Sequence, residues 1–68
     1  GYLELARRNL ERNERFDEGV RLARKALELD PAPRDRALAH FLLADFYSRL
    51  GRHDLSRQHA DLGRQATQ

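Results

Sequence analysis

The stretch from Lys25 to Pro31 limits what this chain can fold into, because it has the pattern of a helix end that a proline stops. Ala26, Leu27 and Leu29 recur at helical spacing, and the residue before a proline is pushed out of the helical region. A weaker copy of the surrounding layout follows 37 residues later. A chain of 68 residues with this internal repeat has room for one small domain of short helices.

Apolar spacing predicts an all-α domain of four helices in two helix-turn-helix hairpins. The expected helices run from about 2 to 13, from Asp17 to about Leu29, from about Asp35 to Leu50, and from Asp54 to about 66. Asp17 and Asp54 are expected to cap their helices, and Leu29 is expected to be buried. Gly51 is expected to end the third helix in a left-handed backbone conformation. The first repeat then covers about 1–33 and the second about 34–68.

Two motifs carry a family resemblance. They are Ala26-Leu27-Glu28-Leu29-Asp30-Pro31 and Leu43-Ala44-x-x-Tyr47-x-x-x-Gly51-Arg52-His53-Asp54. In these motifs the chain resembles the tetratricopeptide repeat family, although its repeat spacing is 37 residues against about 34 in the family. Glu14 also stands where the family has a turn glycine. The resemblance implies four antiparallel helices in a short right-handed superhelix.

The resemblance also implies a function. In this family the first helix of each hairpin lines an inner, concave face that binds other proteins. The matching positions are Glu4, Arg8, Leu38, Phe41, Asp45 and Arg49. We therefore expect a protein-interaction or scaffold module that binds a peptide, a helix or a neighbouring domain on that face. The carboxylate clamp of the family's chaperone-tail binders is missing, so that partner is not expected.

A second reading is structural self-association. Ser56, Ala60 and Gly63 form a stripe of small residues on the fourth helix, where a further hairpin of a longer array would lie. Repeat proteins generally need three or more units, or polar caps, to be stable and soluble. Two repeats without caps therefore predict association with another protein surface, most simply in a homodimer.

Catalysis, cofactors and metals are not expected. The chain has no cysteine, no nucleophile in a recognisable motif and no glycine-rich phosphate loop. Its three histidines, His40, His53 and His59, include no pair four residues apart, so packing or surface roles are expected for them instead of zinc ligation. The sequence predicts that the chain is not an enzyme.

Charge and hydropathy limit the partners further. The net charge is +2, and acidic and basic residues are interspersed along both halves, whereas a nucleic-acid binder gathers its basic excess on one face. No apolar run is long enough to span a membrane, so we expect neither nucleic-acid binding nor membrane insertion. The sequence begins with Gly1 and not with Met, so we expect this chain to be a piece of a longer protein. A soluble chain is expected, and its compartment stays open with a slight preference for the cytoplasm.

Overall fold

The computed structural model describes all 68 residues and confirms an all-α fold of four helices without strands. The helices are α1 Tyr2–Glu11, α2 Phe16–Glu28, α3 Pro33–Arg49 and α4 His53–Ala66. Short connections join them, so each helix folds back beside the preceding one. The predicted helices all exist, and their ends differ from expectation by one or two residues.

The helices form two hairpins that pack side by side. α1 pairs with α2, and α3 pairs with α4. α2 and α1 both contact α3, which makes α3 the central helix, whereas α4 packs against α3 alone. The apolar residues around most of α3 thus find partners on several sides.

The helix ends show where local signals act. Pro33 is the first residue of α3. An N–H at this position would have no partner within the helix, so a proline there costs no hydrogen bond. The predicted caps Asp17 and Asp54 were wrong: both lie inside the first turn, and neither helix has a side-chain cap. Their charges still favour the positive end of the helix dipole. Gly51 has the predicted left-handed conformation, with φ of 78°.

The core lies where α3 crosses the first hairpin. Leu43 and Phe46 are the largest side chains that are fully buried. Ala6 of α1 and Ala23 of α2 are also fully buried, and such small residues let the helix axes approach closely. Burying a side chain the size of leucine or phenylalanine contributes roughly 1.5–3 kcal/mol, so α3 supplies much of what holds the two hairpins together.

Candidate functional site

A cleft opens between the start of α1, the end of α2 and the start of α3. Its volume is about 590 Å³. Apolar side chains of Tyr2, Leu3, Leu29 and Leu38 line it together with small or charged neighbours. We call this feature the α1–α3 cleft. A concavity of this size and mixed chemistry is of the kind that holds a side chain or a short segment of a ligand.

The connection between α2 and α3 shapes one wall of the α1–α3 cleft. The chain leaves α2 at Leu29 and passes through Asp30, whose φ is 51°. Arg36 then fixes the connection, because its Nη2 donates to Asp30 Oδ1 at 3.2 Å and to the Pro31 carbonyl oxygen at 3.0 Å. Leu29 is consequently held at the edge of the cleft with 65% of its surface exposed.

The exposure of Leu29 contradicts the sequence prediction, which placed this side chain in the core. Helical spacing puts position 29 on the same face as Ala26, but α2 ends at Glu28 and Leu29 is its C-cap residue. The next residue, Asp30, has φ of 51° and turns the chain away, so Leu29 lies at the very end of the helical pattern. Leu29 is the most exposed large apolar side chain of the chain.

Charges of both signs surround the α1–α3 cleft. Glu4, Arg7 and Asp35 contribute to its lining. The terminal ammonium group of Gly1 lies 3.0 Å from Glu4 Oε1, and its hydrogen bond lowers the pKa of the Glu4 carboxyl. The lining has no histidine, serine or cysteine beside these charges. Charges of both signs along the lining can orient a bound ligand.

The residues that were predicted to share one binding face lie in separate parts of the structure. Glu4 and Leu38 meet in the α1–α3 cleft, and Arg8 is exposed on α1 outside its lining. Asp45 and Arg49 lie near the other end of α3 and pair with each other at 3.2 Å. These positions do not share one cleft.

Arg49 is engaged with the first hairpin. Its Nη1 donates to Asn13 Oδ1 in the α1–α2 turn, and its guanidinium group lies 5.9 Å from the centre of the Phe16 ring. The side chain therefore bridges the two hairpins, and a ligand there would compete with these contacts.

Phe41 and the small-residue stripe form one contact inside the second hairpin. A Cβ atom on Gly63 would lie 2.8 Å from the Phe41 ring, so the ring rests directly on that glycine. Ser56 Oγ donates to the Ala44 carbonyl oxygen at 2.7 Å. The stripe was predicted to face a missing neighbour. Instead, Ser56 and Gly63 lie against α3, because a small residue at each lets α4 approach.

Sequence reasoning also missed a contact between two histidines. His40 of α3 and His59 of α4 bring their Nδ1 atoms to 3.0 Å, with the ring centres 5.2 Å apart. Burial lowers the pKa of both rings, and nearby positive charge adds to the effect. The separation of 19 residues hides the pair from any search for helical i,i+4 spacing. Groups of three or more potential metal ligands are absent from the structure.

Comparison with family models, with curated proteins and with solved structures gives no match for this chain. None of the four helices is both long enough and apolar enough to cross a membrane.

Proposed function

We propose that this chain is a protein-interaction module that binds a peptide or a helix of a partner protein in the α1–α3 cleft. The observation that carries the proposal is the exposure of Leu29 at the edge of a cleft whose other apolar walls are Tyr2, Leu3 and Leu38. Full burial of a leucine contributes roughly 1.5–3 kcal/mol, and a ligand that covered the exposed 65% of Leu29 would gain about two-thirds of this.

The chemistry of the lining favours a peptide. Apolar walls provide the area that gives affinity, and Glu4, Arg7 and Asp35 provide charges of both signs that select sequence and direction. An amphipathic segment with one aliphatic or aromatic anchor and flanking charges satisfies both. The lining lacks the paired nucleophile and base that covalent catalysis requires.

The order of helix contacts supports a tetratricopeptide-like arrangement as part of the proposal. In such an array each hairpin packs on the next, and the first helices stand beside each other, as α1 and α3 do. The α1–α3 cleft then corresponds to one end of the inner face implied by the resemblance. Two of the six positions inferred from it, Glu4 and Leu38, line the cleft.

Self-association is the second candidate function, and it uses another surface. Phe41 and Leu62 are each about two-fifths exposed, and α4 has no neighbour other than α3. A second copy covering these side chains would form the homodimer. Sedimentation equilibrium of the wild type and of a Leu62→Glu variant tests this, since a dimer through α4 dissociates when a charge is placed there.

The binding test is a selection of displayed random peptides on the immobilised chain, followed by affinity measurement and NMR mapping of the selected peptides. We expect amide shifts at Tyr2, Arg7, Leu29 and Leu38, and at least a tenfold weaker affinity for Leu29→Glu. Leu50→Glu is the matched control, because it adds the same charge at an exposed leucine that lies outside both the cleft and the α4 surface. Peptides that bind Leu29→Glu as tightly as the wild type, or a selection that yields none, would refute the proposal.

A further inference from the structure

The contact between His40 and His59 ties α4 to the rest of the molecule. The two Nδ1 atoms are 3.0 Å apart, and the His59 ring also stacks on Tyr47 with a centre-to-centre distance of 5.5 Å. Since α3 is the only helix that α4 packs against, this stack lies in the only interface that holds α4. A change at the pair acts directly on that interface.

The hydrogen bond depends on protonation. One Nδ1 must carry a proton and donate it, and the other must be bare and accept it. A first added proton can sit on an Nε2 atom and leave the bond in place. A second must go to the accepting Nδ1, which removes the bond and puts two positive rings in contact. Because the rings interact, the two protonation steps belong to the pair and not to either residue.

The charged residues that act on the histidine pair are arginines. Arg36 of α3 acts on His40, and Arg24 of α2 acts on His59. The Tyr47 hydroxyl accepts a hydrogen bond from Arg24 Nη2 at 2.6 Å. Neither histidine forms an ion pair with a carboxylate, although each of Asp30, Asp45 and Asp61 pairs with an arginine. Protonation of the rings therefore has no compensating negative charge.

We propose that the His40–His59 pair is an acid-sensitive latch, which holds α4 against α3 while the rings are neutral and releases α4 when both are protonated. Release bares the side of α3 that α4 covers, including the face of Phe41 that rests on Gly63. The latch thus couples acidity to exposure of an apolar surface on the second hairpin, away from the α1–α3 cleft.

The sign of the pH effect follows from linkage. Burial and the two arginines lower the pKa of His40 and His59 in the folded chain, so the unfolded chain binds more protons as pH falls. The stability from the pair is complete above the ordinary histidine pKa of about 6.5 and is lost as pH falls below it. Two histidines of ordinary pKa about 6.5 that bound no proton in the folded chain would raise the unfolding equilibrium constant by at most about 70-fold between pH 7 and pH 5.5. A pair that accepts its first proton without losing the bond would raise it by about 8-fold.

The test uses the full chain in EDTA, so that no adventitious metal bridges the rings. Urea unfolding from pH 7.5 to 5.5 is compared between the wild type and His40→Asn/His59→Asn, whose amides reach the Nδ1 positions without titrating. We expect the double variant to lose this extra pH dependence, which is about 8-fold for one proton and at most about 70-fold for two. His53→Asn is the matched control, since His53 is an exposed histidine on α4, the helix that also carries His59. We expect this variant to keep the pH dependence of the wild type.

Two measurements on the wild type keep the proposal falsifiable if the double variant does not fold. The ring Cε1–H resonances of His40 and His59 are expected to titrate at lower pH than in the urea-unfolded chain. Amide protection factors of α4 are expected to fall before those of α2 as pH is lowered. Ring titration at the unfolded-state pH, equal loss of protection in both helices, or an unchanged pH dependence in the double variant would overturn the latch.

Discussion

Phe46 occupies the space beside Gly19 so closely that a Cβ atom at position 19 would lie 2.2 Å from the ring's Cζ. Gly19 lies on α2 and Phe46 on α3, and the ring is fully buried. Without a side chain at position 19, the first hairpin can receive a fully buried aromatic ring of the second. This contact fixes how the two hairpins meet.

The first prediction concerns Gly19→Ala. Alanine raises helix propensity by about 1 kcal/mol, but the buried ring cannot move aside without disturbing Leu43 and its neighbours. We expect the clash to win and unfolding free energy to fall by roughly 1–3 kcal/mol, as measured by urea denaturation. A Gly19→Ala/Phe46→Leu double variant should recover part of the loss, because leucine removes the ring.

Gly63→Ala is the control for that prediction. Its Cβ would lie 2.8 Å from the ring of Phe41, but that ring is 43% exposed and can swing towards solvent. The gain in helix propensity then offsets most of the strain, and we expect a change within about 1 kcal/mol of zero. Equal losses at the two glycines would contradict the assignment of Phe46 as the fixed ring and Phe41 as the movable one.

The second prediction concerns the hydrogen bond from Ser56 to the Ala44 carbonyl oxygen. Ser56→Ala removes the donor while preserving the small size that α4 needs against α3. We expect unfolding free energy to decrease by about 1 kcal/mol in urea denaturation. Exposed Ser48, replaced by alanine in the same way, should change it by less than about 0.5 kcal/mol. No loss at Ser56 would mean that the small-residue stripe faces outward after all.

The number, order and approximate ends of the helices could be predicted from the sequence, because they depend on local signals such as the apolar spacing and Pro31. The α1–α3 cleft could not be predicted as a unit. It depends on how three helices approach at one end, which local spacing does not describe. Leu29 illustrates the limit: the pattern assigned it to a buried face, but the helix ends one residue before it.

The turn between α1 and α2 shows a similar limit. The resemblance matched Glu14 to the family's turn glycine, a residue type that favours positive φ. In the structure the left-handed residues are instead Asn13 and Arg15, with φ of 57° and 50°. Asparagine tolerates this conformation better than arginine does. The place of this turn in the chain could be predicted from the sequence, but the distribution of backbone angles within it follows from how the helices meet.

The third prediction follows from that turn. Arg15→Gly relieves a left-handed conformation that costs an L-residue roughly 1–2 kcal/mol, but glycine gives back part of this through its greater freedom in the unfolded chain. We expect a net gain of up to about 1 kcal/mol in unfolding free energy, measured by thermal and urea denaturation. Glu14→Gly is the control, since it increases unfolded-state freedom without relieving a positive φ. A larger gain at position 14 than at 15 would refute this account.

The fourth prediction separates binding from folding. Leu29 is largely exposed and Leu43 is fully buried. Leu29→Ser should therefore leave unfolding free energy within about 0.5 kcal/mol of the wild type, while Leu43→Ala should lower it by about 2–5 kcal/mol. Urea denaturation of the two variants measures both effects. If Leu29→Ser destabilised the chain as strongly as Leu43→Ala, Leu29 would be a core residue and its exposure could not support a ligand contact. With the expected result, loss of peptide binding in Leu29 variants reports on the α1–α3 cleft, because the fold that forms it is intact.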